Sequence, residues 1–236
     1  MSANPSAFGY AGQQKWEMLG RLASGGYVRV VNYHNTKFRD AARFEAEIAY
    51  FAEHFAPVRI ADVDEWFETR RWPKEKPGLI PAIYEGYRNH HDVILPILEK
   101  YGFTGWFYVP SFFLDVPVKE QADFCKGHRL RSTAEDEYPD GRYAFTWDEL
   151  RRVAQNHEVC CHTGTHFNLD EDSTPEEIQR EIVASKRRLE EELQKPIDVF
   201  CWLGGKEYAE YPKSHPYLEE AGYRYLVGNL KIQKLK

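Results

Sequence analysis

The sequence predicts an α/β barrel, in which a parallel sheet is surrounded by helices. Short apolar segments alternate with amphipathic helical segments about seven times along the 236 residues, and this alternation is typical of a parallel sheet covered by helices. The chain is long enough to bury a full core as one domain. Closing such a sheet gives a barrel whose functional residues follow the carboxyl ends of the strands.

The first half of the chain supplies four predicted strands. Residues 27–33, YVRVVNY, are rich in β-branched and aromatic residues, and a helix with its apolar side chains on one face follows them. A short strand near residues 58–60 precedes a helical turn at residues 62–67. The apolar segments 79–83 and 104–109 are further predicted strands, with a helix between them.

The second half restores the alternation after a long insertion. Residues 111–146 are polar and rich in Asp, Glu, Gly and Arg, and we interpret them as a long loop over one face. The later predicted elements are a helix at 147–156, a strand at 158–161, a helix at 175–194, a strand at 197–202, a helix at 217–221 and a strand at 223–227. Residues 1–25 are predicted to be an extension and 231–236 a frayed tail of a single domain spanning 1–236.

Composition and charge exclude several classes of partner. The net charge of −6 gives no basic stripe, which argues against a nucleic-acid-binding protein. No apolar segment has the length of a membrane span, and the N-terminus lacks the apolar core of a signal peptide. The four cysteines form no disulfide framework and are interpreted as reduced. Together these features predict a cytoplasmic protein that binds neither nucleic acid nor membrane.

Two histidines four residues apart, His162 and His166, directly follow a predicted strand in the segment HTGTH. Zinc sites of hydrolytic enzymes use two or three histidines, often with one carboxylate. Such a pair also arises by chance in a chain with nine histidines, and then it decorates a loop. Because Glu85 follows another strand of the same sheet, we favour a metal site. The other close pair, His90 and His91, is assigned to an exposed helix start.

Several segments resemble, in the same order, the motifs of the polysaccharide deacetylase family with its NodB-homology domain. They are VVNYHNT, IYEGYRNHHDVILPILEKYGFTGWFYVP, CCHTGTHFNL, STPEEIQREIVASKRRLEEELQKPIDVFCWLGGKEY and LEEAGYRYLVG. The resemblance implies a distorted (β/α)7 barrel that hydrolyses an N-acetyl or O-acetyl group of a sugar. It also implies a divalent metal held by a carboxylate and two histidines.

The resemblance assigns the metal ligands to Glu85, His162 and His166. Zinc is the predicted cation, although nickel, cobalt or manganese suit such a site. The first motif of the family has two aspartates, a general base and a metal ligand, where this chain has Tyr84 and Glu85. A phenol is protonated at neutral pH and donates rather than accepts a proton. Tyr84 is therefore the candidate for positioning the substrate by a donated hydrogen bond, without removing a proton. His34, which follows the first strand on the same rim, is the candidate for the replacement base.

A loop after the predicted strand 197–202 corresponds to the family motif whose backbone helps to hold the oxyanion. Leu203 and Gly204 stand where the family usually has proline and an aromatic residue, and Gly205 is retained. Trp202 is the strongest candidate for a substrate contact in this loop. The substrate implied by the resemblance is a carbohydrate or a small acylated molecule.

Three functions are compatible with these residues. The first is a metal-dependent deacetylase or a related hydrolase of C–N bonds, with His34 as the base. The second is a pseudoenzyme or carbohydrate-binding protein that keeps the fold but lacks a base. The third is a metal-free amide hydrolase with Glu85 as general base, and the intact histidine pair counts against it. Metal content separates the third function from the others, and turnover separates the first from the second.

Overall fold

Eight strands and seven helices make up the computed structural model, which describes residues 27–130, 137–229 and 231–235. The strands are β1 (Val28–Tyr33), β2 (Ala56–Pro57), β3 (Gly78–Tyr84), β4 (Trp106–Val109), β5 (Glu158–Cys161), β6 (Val199–Phe200), β7 (Tyr225–Val227) and β8 (Ile232–Lys234). The helices are α1 (Ala41–His54), α2 (Ile60–Thr69), α3 (90–100), α4 (Val118–Gly127), α5 (Trp147–Val153), α6 (175–193) and α7 (His215–Ala221).

All the strands belong to one curled sheet in the order β1-β3-β4-β5-β6-β7-β8, with β2 also paired to β3. Every pairing is parallel except that of β7 with β8, which is antiparallel. Within the described ranges β1 and β8 form the two edges, so the sheet is a half-barrel rather than a closed one. The predicted α/β class with a parallel sheet and outer helices is confirmed.

Two apolar layers cover the two faces of the sheet. In β3 all seven residues are buried. Leu79 and Ile83 pack in the layer under the outer helices, whereas Ile80, Ala82 and Tyr84 belong to the layer on the opposite face. Alternate residues of a strand point to opposite faces, and strands buried on both faces read as continuous apolar segments. This explains why the sequence locates β3 well.

Two segments differ from their predictions. The predicted loop 111–146 contains the ten-residue helix α4, and the predicted frayed tail contains β8, which pairs with β7. The insertion also adds to the rim of the sheet, because Phe145 N–H donates to the Gly86 carbonyl at 2.9 Å. The predicted extension at 1–25 lies outside the described residues.

The structure bears on two further expectations. In the described part of the chain no helix has both the length and the apolar character that crossing a membrane requires. The four cysteines are all free and buried, as the interpretation of reduced thiols requires.

Candidate active site

Four predicted site residues meet at the carboxyl end of the sheet. His34 follows β1, Glu85 follows β3, and His162 follows β5, with His166 four residues further on. The ends of parallel strands share one rim, and the structure brings these side chains into contact there. The backbone has positive φ angles at Glu85 (85°) and His166 (59°) of this group and at the intervening Thr163 (63°). Strained backbone of this kind persists only where the surrounding structure fixes it.

The carboxylate of Glu85 lies at the centre of this group. Its Oε1 atom is 3.0 Å from Nδ1 of His34 and 3.7 Å from Nε2 of His166. Its Oε2 atom is buried and has no hydrogen-bond partner among the described residues. A buried carboxylate oxygen is costly without a partner, so Oε2 marks the place where a ligand or cation would be stabilised.

Backbone carbonyls fix the orientation of both histidines of the HTGTH segment. Nδ1 of His162 lies 2.9 Å from the Cys201 carbonyl, and Nδ1 of His166 lies 2.7 Å from the His128 carbonyl. A carbonyl only accepts, so each Nδ1 carries the proton and each Nε2 carries the lone pair. Metal-binding histidines are held in the same way in other proteins. The two ring centroids are 5.3 Å apart.

The protonation states suit a cation. Burial lowers the pKa of His162 to about 3 and also lowers the pKa of His166. Burial opposes ionisation of Glu85, but the hydrogen bond from His34 and the nearby histidines keep its pKa below the ordinary value. At neutral pH the group therefore offers a carboxylate and two neutral imidazoles, which is the form that binds metal ions. The donor set fits zinc.

The spacing of these three ligands is looser than in a loaded zinc site. Ligand atoms of Glu85, His162 and His166 do not all lie within 4.8 Å of one another, whereas those of His91, Asp92 and Glu149 do. The carboxylates of that second cluster are already engaged. Asp92 accepts bonds from Arg88, His91 and Tyr138, and Glu149 accepts two bonds from Arg142. Because its acids have protein partners and are only half-buried, we favour the Glu85 group as the metal site.

Tyr84 lies in the core behind the site, and its environment rules it out as a base. Its ring is stacked between Tyr108, at 4.7 Å, and His34, at 5.3 Å between centroids. Burial, together with the adjacent thiol of Cys201, raises the pKa of Tyr84 far above its ordinary value. The phenol therefore stays protonated, and its ring stacks against the imidazole of His34.

His34 is the most accessible member of the group, with a side chain 52% exposed. Its backbone is fixed by a hydrogen bond of 3.0 Å, which Nε2 of His90 donates to the His34 carbonyl. His90 itself is fully buried in a π-helical turn that opens α3. The assignment of His90 to an exposed helix start is therefore wrong, and the residue positions His34 instead.

The loop after β6 carries the remaining predicted residues. Trp202 is 1% exposed and packs against Phe200 and Tyr211, so its indole is part of the core, and the expected substrate contact is wrong. Residues Leu203–Gly205 form a 3₁₀ turn in which Gly204 is exposed. A Cβ at Gly205 would lie 2.3 Å from the Asn229 side chain, at a φ of 64°, which explains the retained glycine.

Glu181, in the middle of α6, is a residue that sequence reasoning missed. Its carboxylate is completely buried and accepts hydrogen bonds from Gly164 and Thr165, between the two histidines. A signal was present, since Glu181 lies on the apolar face of the helix between Ile178 and Ile182. An acid on the buried face of an amphipathic helix needs a partner.

Comparison with known proteins shows extensive similarity to deacetylases. A model of the polysaccharide deacetylase family matches residues 83–226. The poly-beta-1,6-N-acetyl-D-glucosamine N-deacetylase of Escherichia coli (strain K12) is 22% identical over 175 residues, which are 69% of this chain and 23% of that protein. The chain thus spans about a quarter of the length of the curated relatives that it matches.

Solved structures of deacetylases share the fold. Streptococcus pyogenes deacetylase PplD in complex with acetate has a TM-score of 0.64 at 14% identity, covering 89% of this chain and 86% of that one. A de-N-acetylase from Aggregatibacter actinomycetemcomitans has a TM-score of 0.64 at 17% identity, covering 88% and 90%. The family match extends over more than half of the sequence and includes Glu85, His162 and His166. The chain therefore belongs to the polysaccharide deacetylase family.

Proposed function

We propose that this protein is a metal-dependent deacetylase that removes acetyl groups from an N-acetylated amino sugar in a polysaccharide. Membership of the family supports the reaction, and the similarity to a poly-beta-1,6-N-acetyl-D-glucosamine N-deacetylase supports the substrate class. The observation that carries the proposal is the position of the Glu85 carboxylate. It faces Nε2 of His166 with one oxygen, and its second buried oxygen has no partner in the described structure.

Glu85, His162 and His166 would hold the cation, which we take to be zinc, or nickel, cobalt or manganese in its place. When bound, such an ion polarises a carbonyl and helps to make a nucleophile of water at neutral pH. The protein keeps both imidazoles neutral and turned by backbone carbonyls. These hydrogen bonds support the proposal that the two imidazoles are metal ligands.

His34 would replace the missing base. A carboxylate only accepts, so the hydrogen bond to Glu85 places the proton on Nδ1 of His34 and the lone pair on Nε2. The half-exposed ring can take a proton from water and deliver it to the leaving amine. The anionic Glu85 stabilises the protonated ring, as the carboxylate does in acid–histidine pairs of hydrolases.

Acetate release from N-acetylglucosamine oligomers tests the proposal. We expect release that stops when the protein is dialysed against a chelator and returns when zinc or cobalt is added. Binding of the oligomers without any acetate release, at full metal loading, would show a carbohydrate-binding pseudoenzyme and overturn the proposal.

A metal-free amide hydrolase is the second candidate, favoured by one observation. The hydrogen bond of 3.0 Å between His34 and Glu85 is already formed, whereas the three metal ligands are not all within 4.8 Å of one another. In this case Glu85 is the base, directly or through His34. Turnover that is unaffected by chelation, in protein without metal, would support it.

A further inference from the structure

The loop that carries His162 and His166 has a strained backbone, which other parts of the structure must stabilise. Thr163 and His166 both have φ angles in the left-handed region, 63° and 59°. Gly164 lies so close to Phe112 that a Cβ there would be 2.6 Å from the ring. The orientation of the two imidazoles depends on this backbone conformation, because His162 and His166 flank residues 163–165 directly.

One buried acid spans the centre of this loop. Oε2 of Glu181 accepts the N–H groups of both Gly164 and Thr165 at 2.7 Å. Its Oε1 accepts the Thr165 hydroxyl at 2.9 Å and Nε of Arg180 at 2.8 Å. The residue is completely buried. Two successive N–H groups that converge on one anion form a strong backbone binding site.

Glu181 lies in an irregular part of its helix. α6 contains a π-helical turn, Gln179–Ala184, between two α-helical segments. Such turns are rare inside α-helices and are frequently found at functional sites. Ile178 and Ile182 on the same face are buried in the apolar layer. An apolar side chain at position 181 would leave the N–H groups of Gly164 and Thr165 without this acceptor, so the loop accounts for a carboxylate on the buried face of the helix.

We propose that Glu181 is a positioning residue, whose carboxylate fixes the backbone between His162 and His166 so that both rings face Glu85. Its effect on metal binding rests on the proposed function, whereas its effect on the loop does not. Glu181 does not touch the reacting group. It acts through Gly164 and Thr165, as outer hydrogen bonds do around metal ligands.

Glu181→Gln tests the proposal, because it keeps the size of the side chain and removes one acceptor and the charge. We expect a folded protein whose affinity for Co²⁺ or Zn²⁺, measured by chelator competition, falls about 10–100-fold. The visible absorption spectrum of the cobalt-loaded protein should change, and the amide protons of Gly164 and Thr165 should exchange faster with solvent. Glu191→Gln is the matched control, since Glu191 lies on the same helix with a side chain 58% exposed. It should leave all three measurements unchanged.

The exchange rates keep this proposal separate from the proposed function. If the wild type binds no metal, the proposed function fails, and faster exchange in Glu181→Gln still supports positioning. If Glu181→Gln folds and keeps wild-type exchange and affinity, Glu181 does not position the loop. If it does not fold, Glu181→Asp decides, because it keeps the charge but draws the carboxylate one methylene back from the N–H groups of Gly164 and Thr165. Unchanged exchange at residues 164 and 165 in that variant would overturn the proposal.

Discussion

Nδ1 of His34 donates a hydrogen bond of 3.0 Å to Oε1 of Glu85, at the carboxyl ends of the paired strands β1 and β3. In the family motif, Glu85 stands in the place of an aspartate. The carboxylate of glutamate is one methylene further from the backbone, and here it contacts His34. This contact leaves Nε2 of His34 with the lone pair, and it explains how the site could work without a base at position 84.

His34→Asn should separate the role of the Nδ1 donor from the role of the Nε2 lone pair. The amide nitrogen of asparagine can replace the Nδ1 donor to Glu85, but nothing replaces Nε2. We expect kcat for acetate release to fall by about 10²–10⁴-fold, which is typical for loss of a general base, with unchanged metal content. His54→Asn, a change at a half-exposed and remote histidine, is the control. Equal rates in His34→Asn and wild type would exclude His34 as the base.

Tyr84→Phe should have little effect on turnover. The hydroxyl lies in the core beside Cys201, and the ring alone makes the stack under His34. We expect kcat within about one order of magnitude of the wild type, well short of the loss expected for a base. Tyr108→Phe, which removes a buried hydroxyl from the same stack, is the matched control. A loss of 10²-fold or more in Tyr84→Phe alone would give its hydroxyl a role in the reaction.

Acidification should destabilise the fold through buried neutral histidines. His157 accepts a hydrogen bond from Gly105 N–H on Nδ1 at 3.0 Å, and burial lowers its pKa from 6.5 to about 4. Between these values protons bind the unfolded chain preferentially. Stability is therefore complete above pH 6.5 and is lost as the pH falls towards 4, by about 1–2 kcal/mol at pH 5.

Denaturant unfolding at pH 7 and pH 5 measures this contribution. His157→Asn keeps an acceptor close to the position of Nδ1 but does not titrate, so its loss of stability between the two pH values should be smaller than in the wild type. His54→Asn should lose as much as the wild type. The same pH dependence in all three proteins would show that His157 does not titrate as its burial implies.

The elements that the sequence locates well are those with a clear apolar pattern. β3 and β5 are buried, so their apolar segments are visible in the sequence. α6 has a buried apolar face that includes Ile178 and Ile182, and Thr174 caps its N-terminus by accepting the Glu177 N–H. α4 was missed because its apolar face is weak: Val118 is exposed, and only Gln121 and Cys125 of its ten residues are buried. The alternation in β8 is short and half-polar, and tertiary pairing with β7 decides its structure.

The site was predictable where an ionisable or metal-binding side chain directly follows a strand. Glu85 and the two histidines of HTGTH are found in this way, because parallel strands bring distant residues to one rim. The burial of Trp202 and His90 and the hydrogen-bond partners of Glu181 were not predictable. Trp202 is enclosed by Phe200 and Tyr211, and His90 packs against the distant Phe145. Glu181 reaches the loop through a π-helical turn that no sequence pattern predicts.

Elemental analysis of metal content tests the central claim most directly, on protein prepared without chelator and then titrated with zinc. We expect about one divalent ion per chain in the wild type, as for a single zinc site. The ion should fall to background in His166→Gln and be retained in His91→Gln, which alters the second cluster of possible ligands. Wild-type protein at background that still releases acetate, or an ion lost in His91→Gln and kept in His166→Gln, would contradict the assignment of Glu85, His162 and His166 as the metal site.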